Sequence, residues 1–78
     1  MTDIQMADTI VHIDEELGAV RREDIRDIIL NQPGVVAAVF HDDKPHILNL
    51  GYDPKKITSQ ALLALVTDQG VHAELIGL

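Results

Sequence analysis

Residues Val35–Tyr52, VVAAVFHDDKPHILNLGY, decide the fold. The run Val35-Val36-Ala37-Ala38-Val39-Phe40-His41 is too apolar and too β-branched for a loop. A second such run, His46-Ile47-Leu48-Asn49-Leu50-Gly51-Tyr52, follows across Asp42-Asp43-Lys44-Pro45, whose residue types favour a turn. The two form a predicted hairpin. Its register between residues 35 and 52 stays open, because lengthening the turn by one residue swaps the faces of one strand relative to the other.

Upstream of the hairpin, Pro33-Gly34 closes a segment in which Ile25, Ile28 and Ile29 recur at helical spacing among Arg21, Arg22, Glu23, Asp24, Arg26 and Asp27, predicting an amphipathic helix from about Val20. Before it, Thr9-Ile10-Val11-His12-Ile13 reads as a strand with Val11 and Ile13 inward and Ile10, His12 and Asp14 outward. Downstream, Asp53-Pro54 ends the hairpin. Thr58 is placed to cap a second helix whose inner stripe is Leu62, Leu65 and Val66. Gly70 suits the left-handed helix exit, and Val71, Ala73 and Leu75 then alternate with His72, Glu74 and Ile76 in a last strand. The predicted order βαββαβ is an α+β ferredoxin-like sandwich, a four-stranded antiparallel sheet with two helices on one face and the other face uncovered. Residues 1–8 are expected to be a flexible lead and 9–78 one domain.

With 78 residues there is room for one thin aliphatic core; there is one Phe, one Tyr and no Trp. A net charge of −7 and the lack of stacking aromatics argue against nucleic acid as a partner. No apolar run is long enough for membrane insertion, and Met1-Thr2-Asp3-Ile4 has neither the basic nor the apolar region of a signal peptide, so a cytoplasmic location is expected. The absence of cysteine removes disulfides, thiolate nucleophiles and every metal site built on thiolates.

From about Thr9 to Leu75 the chain resembles the heavy-metal-associated (HMA) domains of copper chaperones. The resemblance is carried by Pro33-Gly34-Val35, Tyr52-Asp53-Pro54 and Gly70-Val71-His72-Ala73-Glu74-Leu75 in their order and spacing. It implies a metal loop between the first strand and first helix, where that family carries Met-x-Cys-x-x-Cys. Counted back from Gly34, the two cysteine positions fall on Gly18 and Arg21, and neither side chain ligates a metal.

Four histidines are the remaining ligand candidates for Zn(II), Ni(II) or Cu(II). Parity puts His12 and His72 on the uncovered face with Glu74 near them, a two-histidine, one-carboxylate patch. His41 and His46 flank the hairpin turn and are candidates to face one another across it, with Asp42 and Asp43 close by. In each case the plain alternative is ordinary strand or turn chemistry. The run Asp14-Glu15-Glu16 matches no calcium loop and reads as a solvated segment before a helix whose first turn also carries acids. Neither a nucleophile paired with histidine nor a phosphate loop is present, so no enzyme is expected.

The leading expectation is a protein-interaction or regulatory module that has lost the cysteine site. It would use Ile10 and Ile76 on the open face and Glu15, Glu16 and Arg21 in the loop, against another protein or a second copy of the chain. A monomer with scattered surface aliphatics is the plain alternative to the homodimer. The alternative function is a chaperone or sensor for a borderline divalent ion (Zn, Ni or Cu) held by histidines.

Overall fold

A computed structural model describes residues 5–77. In chain order it contains β1 (Ala7–Ile13), α1 (Ala19–Leu30), β2 (Val35–His41), β3 (Lys44–Tyr52), α2 (Ser59–Thr67) and β4 (Ala73–Gly77). The strands lie in the order β2-β3-β1-β4, every pairing antiparallel, which is the ferredoxin-like arrangement expected from the sequence. β1 begins at Ala7, two residues before the expected start of the domain at Thr9; half of the expected lead, residues 1–4, lies outside the described residues.

Alternation fixes which side chains meet the helices. In β1, Thr9, Val11 and Ile13 are buried, and in β3 Leu48, Leu50 and Tyr52 are buried opposite them or beside them. Ile25 and Ile29 of α1 and Leu62 and Val66 of α2 close over this face, each with no exposed surface. The core is therefore aliphatic apart from Tyr52 and the half-buried Phe40. Ile28 and Leu65, expected in the helical stripes, are only partly buried because they lie at the margins of the two inward faces.

The helix ends follow local chemistry. Thr58 accepts a hydrogen bond at its hydroxyl from the Ala61 N–H, 3.1 Å, satisfying one of the free donors of α2's first turn. Gly70 leaves α2 at φ +86°, the left-handed backbone that glycine adopts without penalty. α1 differs from expectation: its first turn carries no acidic residue, and Gly18, its N-cap, offers no side-chain bond.

The hairpin register is now defined. Ala38 pairs with Leu50, Phe40 with Leu48, and the turn is only Asp42-Asp43, closed by His41 against Lys44. Pro45, His46 and Ile47 belong to β3 but are out of step with β2, so the strand-to-strand match skips from Leu48 to Lys44. Two further irregularities affect the edge strands. Val36 is the extra residue between the Val35–Tyr52 and Ala37–Gly51 pairs, and Ile76 is the extra residue between Val11–Leu75 and Ile10–Gly77. The central β1–β3 ladder runs without a shift.

Candidate functional site

Two groups of polar side chains gather at the end of the sheet where β1 leaves for α1. One ties the connecting loops together; the other lies on the face away from the helices.

The loop between β1 and α1, with the first turn of α1, is fastened to the loop between α2 and β4 by Asp14, Glu15 and Arg21. The Glu15 carboxylate accepts the His72 backbone N–H at 2.8 Å and meets His72 Nδ1 at 2.7 Å. Six residues later, Arg21 Nη2 donates to the Gln69 carbonyl just past the end of α2, where the helix dipole favours a cation. Asp14 N–H also donates to the His72 carbonyl at 2.8 Å, so β1 and β4 continue their ladder to the rim of the loops.

The hydrogen bond from the His72 ring, and after it the one from the His72 backbone N–H, hold the Glu15 carboxyl below its ordinary 4.5; the same ring bond, with Glu15's charge, raises His72 above its ordinary 6.5. Glu15 contributes stability that is present above 4.5 and disappears as pH falls through its lowered value. His72 contributes stability that is fully present below 6.5 and is lost as pH rises through its raised value. Both contributions coincide between these two ordinary values. The excess thermal stability of the wild type over Glu15→Gln, measured with a chelator present, is therefore expected to peak between pH 4.5 and 6.5 and to shrink on both sides. A difference that does not vary with pH would refute the ion pair.

The second group is His12, Asp14 and Glu74. His12 and Glu74 are cross-strand partners on β1 and β4, and Asp14 lies two residues beyond His12, hence on the same face. Ligand atoms of all three lie within 4.8 Å of one another. His12 Nδ1 stands 3.3 Å from Asp14 Oδ1 without hydrogen-bond alignment; Nδ1 itself is buried and has no hydrogen-bond partner among the described residues. The His12 ring stacks on the His46 ring at 5.7 Å between centroids and 16° between planes, and His46 Nδ1–H donates to the Ile13 carbonyl at 2.7 Å.

The residues nominated from sequence are thus distributed differently from expectation. Register pairs His12 with Glu74, but His72 stands opposite Asp14, just before β4 begins, and its ring turns to Glu15. His41 and His46 do not face one another across the hairpin: His41 is opposite Lys44, and the out-of-step segment of β3 delivers His46 to β1. Ile76 is half exposed, Ile10 partly buried, and Glu16 and Arg21 exposed. Sequence reasoning missed Asp14 as the third member of the face cluster, although its i+2 spacing from His12 was the available signal. It also missed Val20, 74% exposed in the first turn of α1 beside Arg21.

No protein-family profile and no curated protein matches the sequence. Solved structures do. A copper-binding domain from HMA7, a P-type ATPase, superposes with a TM-score of 0.81 at 17% identity, over 90% of this chain and 93% of that one. A putative copper-ion-binding protein from Bacillus anthracis str. Ames gives 0.81 at 14%, over 92% and 100%. Oxidized MerP from Ralstonia metallidurans CH34 gives 0.80 at 13%, over 91% and 97%. The chain has the HMA ferredoxin-like fold and has no cysteine motif. A copper(I) ion, the cargo that the resemblance implies for the β1–α1 loop, does not fit here. Gly18 offers no ligand, and Arg21 brings a permanent positive charge and is already engaged with Gln69.

Proposed function

We propose that this domain is a binding module that keeps the HMA platform without its soft-metal chemistry and acts through protein contacts, in the cytoplasm, rather than by catalysis. The reading is supported above all by Arg21, which the count back from Gly34 puts at a cysteine position of the resembling family and which spans to Gln69. Together with the Glu15–His72 pair it orders both loops at one end of the molecule with no ion needed to hold them. Docking on ordered loops avoids the entropy of ordering them on association. That end presents Val20 as an exposed apolar side chain, with Glu16, Arg21 and Glu23 exposed at nearby positions of the chain, a composition that suits a partner with cationic groups around an apolar pocket. Neither nucleic acid nor a lipid bilayer suits the chain: its charge is −7, and among the described residues no helix is long and apolar enough to cross a membrane.

The test is a photo-crosslinking residue introduced in cells at Val20, with Asn31 at the opposite end of α1 as the control, alongside titration of the purified protein with copper(I). Discrete adducts, with another protein or a second copy, are expected at Val20 and not at Asn31, and the amides of residues 14–21 are expected to ignore copper(I). Adducts that do not distinguish the two positions, or uptake of copper(I) at the loop, would overturn the reading.

A second reading, a carrier or sensor of a borderline divalent ion (zinc, nickel or copper) held through histidine, is favoured by one observation, the gathering of His12, Asp14 and Glu74 on the sheet.

A further inference from the structure

We propose that His12, Asp14 and Glu74 bind a single divalent cation of the zinc class on the sheet face away from the helices. The site rests on the second functional reading and gives it residues.

The backbone brings these groups together before any ion arrives. Register sets His12 against Glu74, the pleat puts Asp14 beside His12, and the Asp14 N–H bond to the His72 carbonyl keeps β1 extended to that point. Preformed donors lower the ordering entropy that binding must offset. The spacing also suits the ion. Bonds of about 2.1 Å to nitrogen and oxygen in a tetrahedral shell place neighbouring ligand atoms about 3.4 Å apart. His12 Nδ1 and Asp14 Oδ1 are 3.3 Å apart, and Glu74, exposed and free to change rotamer, starts within 4.8 Å of both.

Electrostatics point the same way. A buried imidazole nitrogen without a hydrogen bond is costly, and a cation between Nδ1 and the carboxylate would use its lone pair while neutralising the two acids. One imidazole and two carboxylates favour a borderline first-row ion over calcium or magnesium, which prefer all-oxygen shells, and over copper(I), which prefers thiolates. Three protein ligands leave a fourth position open. His46 is the positioning residue: stacked on His12 and anchored to the Ile13 carbonyl, it fixes the imidazole plane.

The experiment is titration of the full chain with zinc chloride, followed by calorimetry and by NMR of the histidine rings and backbone amides. One equivalent is expected, with saturable shifts at the His12 ring and at the amides of residues 12–14 and 73–75. His12→Gln and Glu74→Gln are each expected to weaken binding at least about tenfold, and His41→Gln to leave it unchanged. Amide spectra of the variants away from the site report whether each is folded, and Glu74→Gln, on an exposed side chain, keeps the test decisive if His12→Gln disturbs the sheet. Zinc retained by both variants, or shifts centred on His41 or His72, would overturn this site and leave histidine-based ion binding standing. No saturable shift up to millimolar zinc would overturn both.

Discussion

The double variant Gly18→Cys/Arg21→Cys is expected to take up one equivalent of copper(I) and hold it against a competing small thiol, where the wild type holds none. The backbone is already suitable. Gly18 is the N-cap of α1 at φ −72°, a conformation open to any residue, and a side chain there would meet nothing within 4 Å. Arg21 lies three residues on, in the first turn, so two thiolates would emerge from neighbouring positions at a helix N-terminus. There the dipole lowers thiol pKa values and stabilises the anionic ligands. The cost is the Arg21–Gln69 bond, an exposed hydrogen bond whose loss is expected to take about 1 kcal/mol. Copper(I)-dependent protection against thermal unfolding, absent in either single variant, is the readout. If the double variant binds no better than the wild type, the loop has changed in more than its two side chains, and the correspondence of Gly18 and Arg21 to the cysteine positions is wrong.

Gly34→Ala is expected to be the most damaging single methyl in the chain. Gly34 sits at φ +95°, where an L side chain is strained, and its added Cβ would lie 2.7 Å from Lys56 Cβ and 3.2 Å from Ile57 Cγ2. The Gly34 carbonyl also accepts the Asp53 N–H at 2.7 Å, so this turn cannot move away without breaking the contact between the start of β2 and the end of β3. Strain and overpacking each cost on the order of 1–3 kcal/mol, a large share of the few kcal/mol available to a domain of this size. Chemical denaturation should show the midpoint falling with little change in slope. A variant as stable as the wild type would mean that the turn relaxes freely.

The helices, strands and their order were legible because the apolar periods differ cleanly between segments and because Pro33-Gly34, Asp53-Pro54, Thr58 and Gly70 punctuate them. What was not legible is register. The sequence offers Asp42 to Pro45 as a turn, yet the chain closes over Asp42-Asp43 and absorbs the remainder as a mismatch in β3, and this sends His46 to His12 instead of His41. Likewise, parity alone cannot tell which of His72 and Glu74 stands opposite His12. β4 pairs it with Glu74, leaving His72 past the last strand pair, where a local carboxylate, Glu15, captures it. Composition and spacing report which residue types are available on a face, while the ladder decides which of them meet.

The two extra residues in the outer ladders bear on how such a small, aliphatic sheet stays dispersed. Val36 in β2 and Ile76 in β4 are each at least half exposed, and each sits at the point where its strand falls out of step with its neighbour, whereas the inner β1–β3 pair is regular. A bulge twists the rim and interrupts the row of unpaired backbone donors and acceptors that an incoming strand would need. Both rims of the sheet are thus poor templates for fibril-like stacking. Within the strands, the two large apolar side chains most exposed to solvent lie where continuous backbone pairing with another molecule is broken.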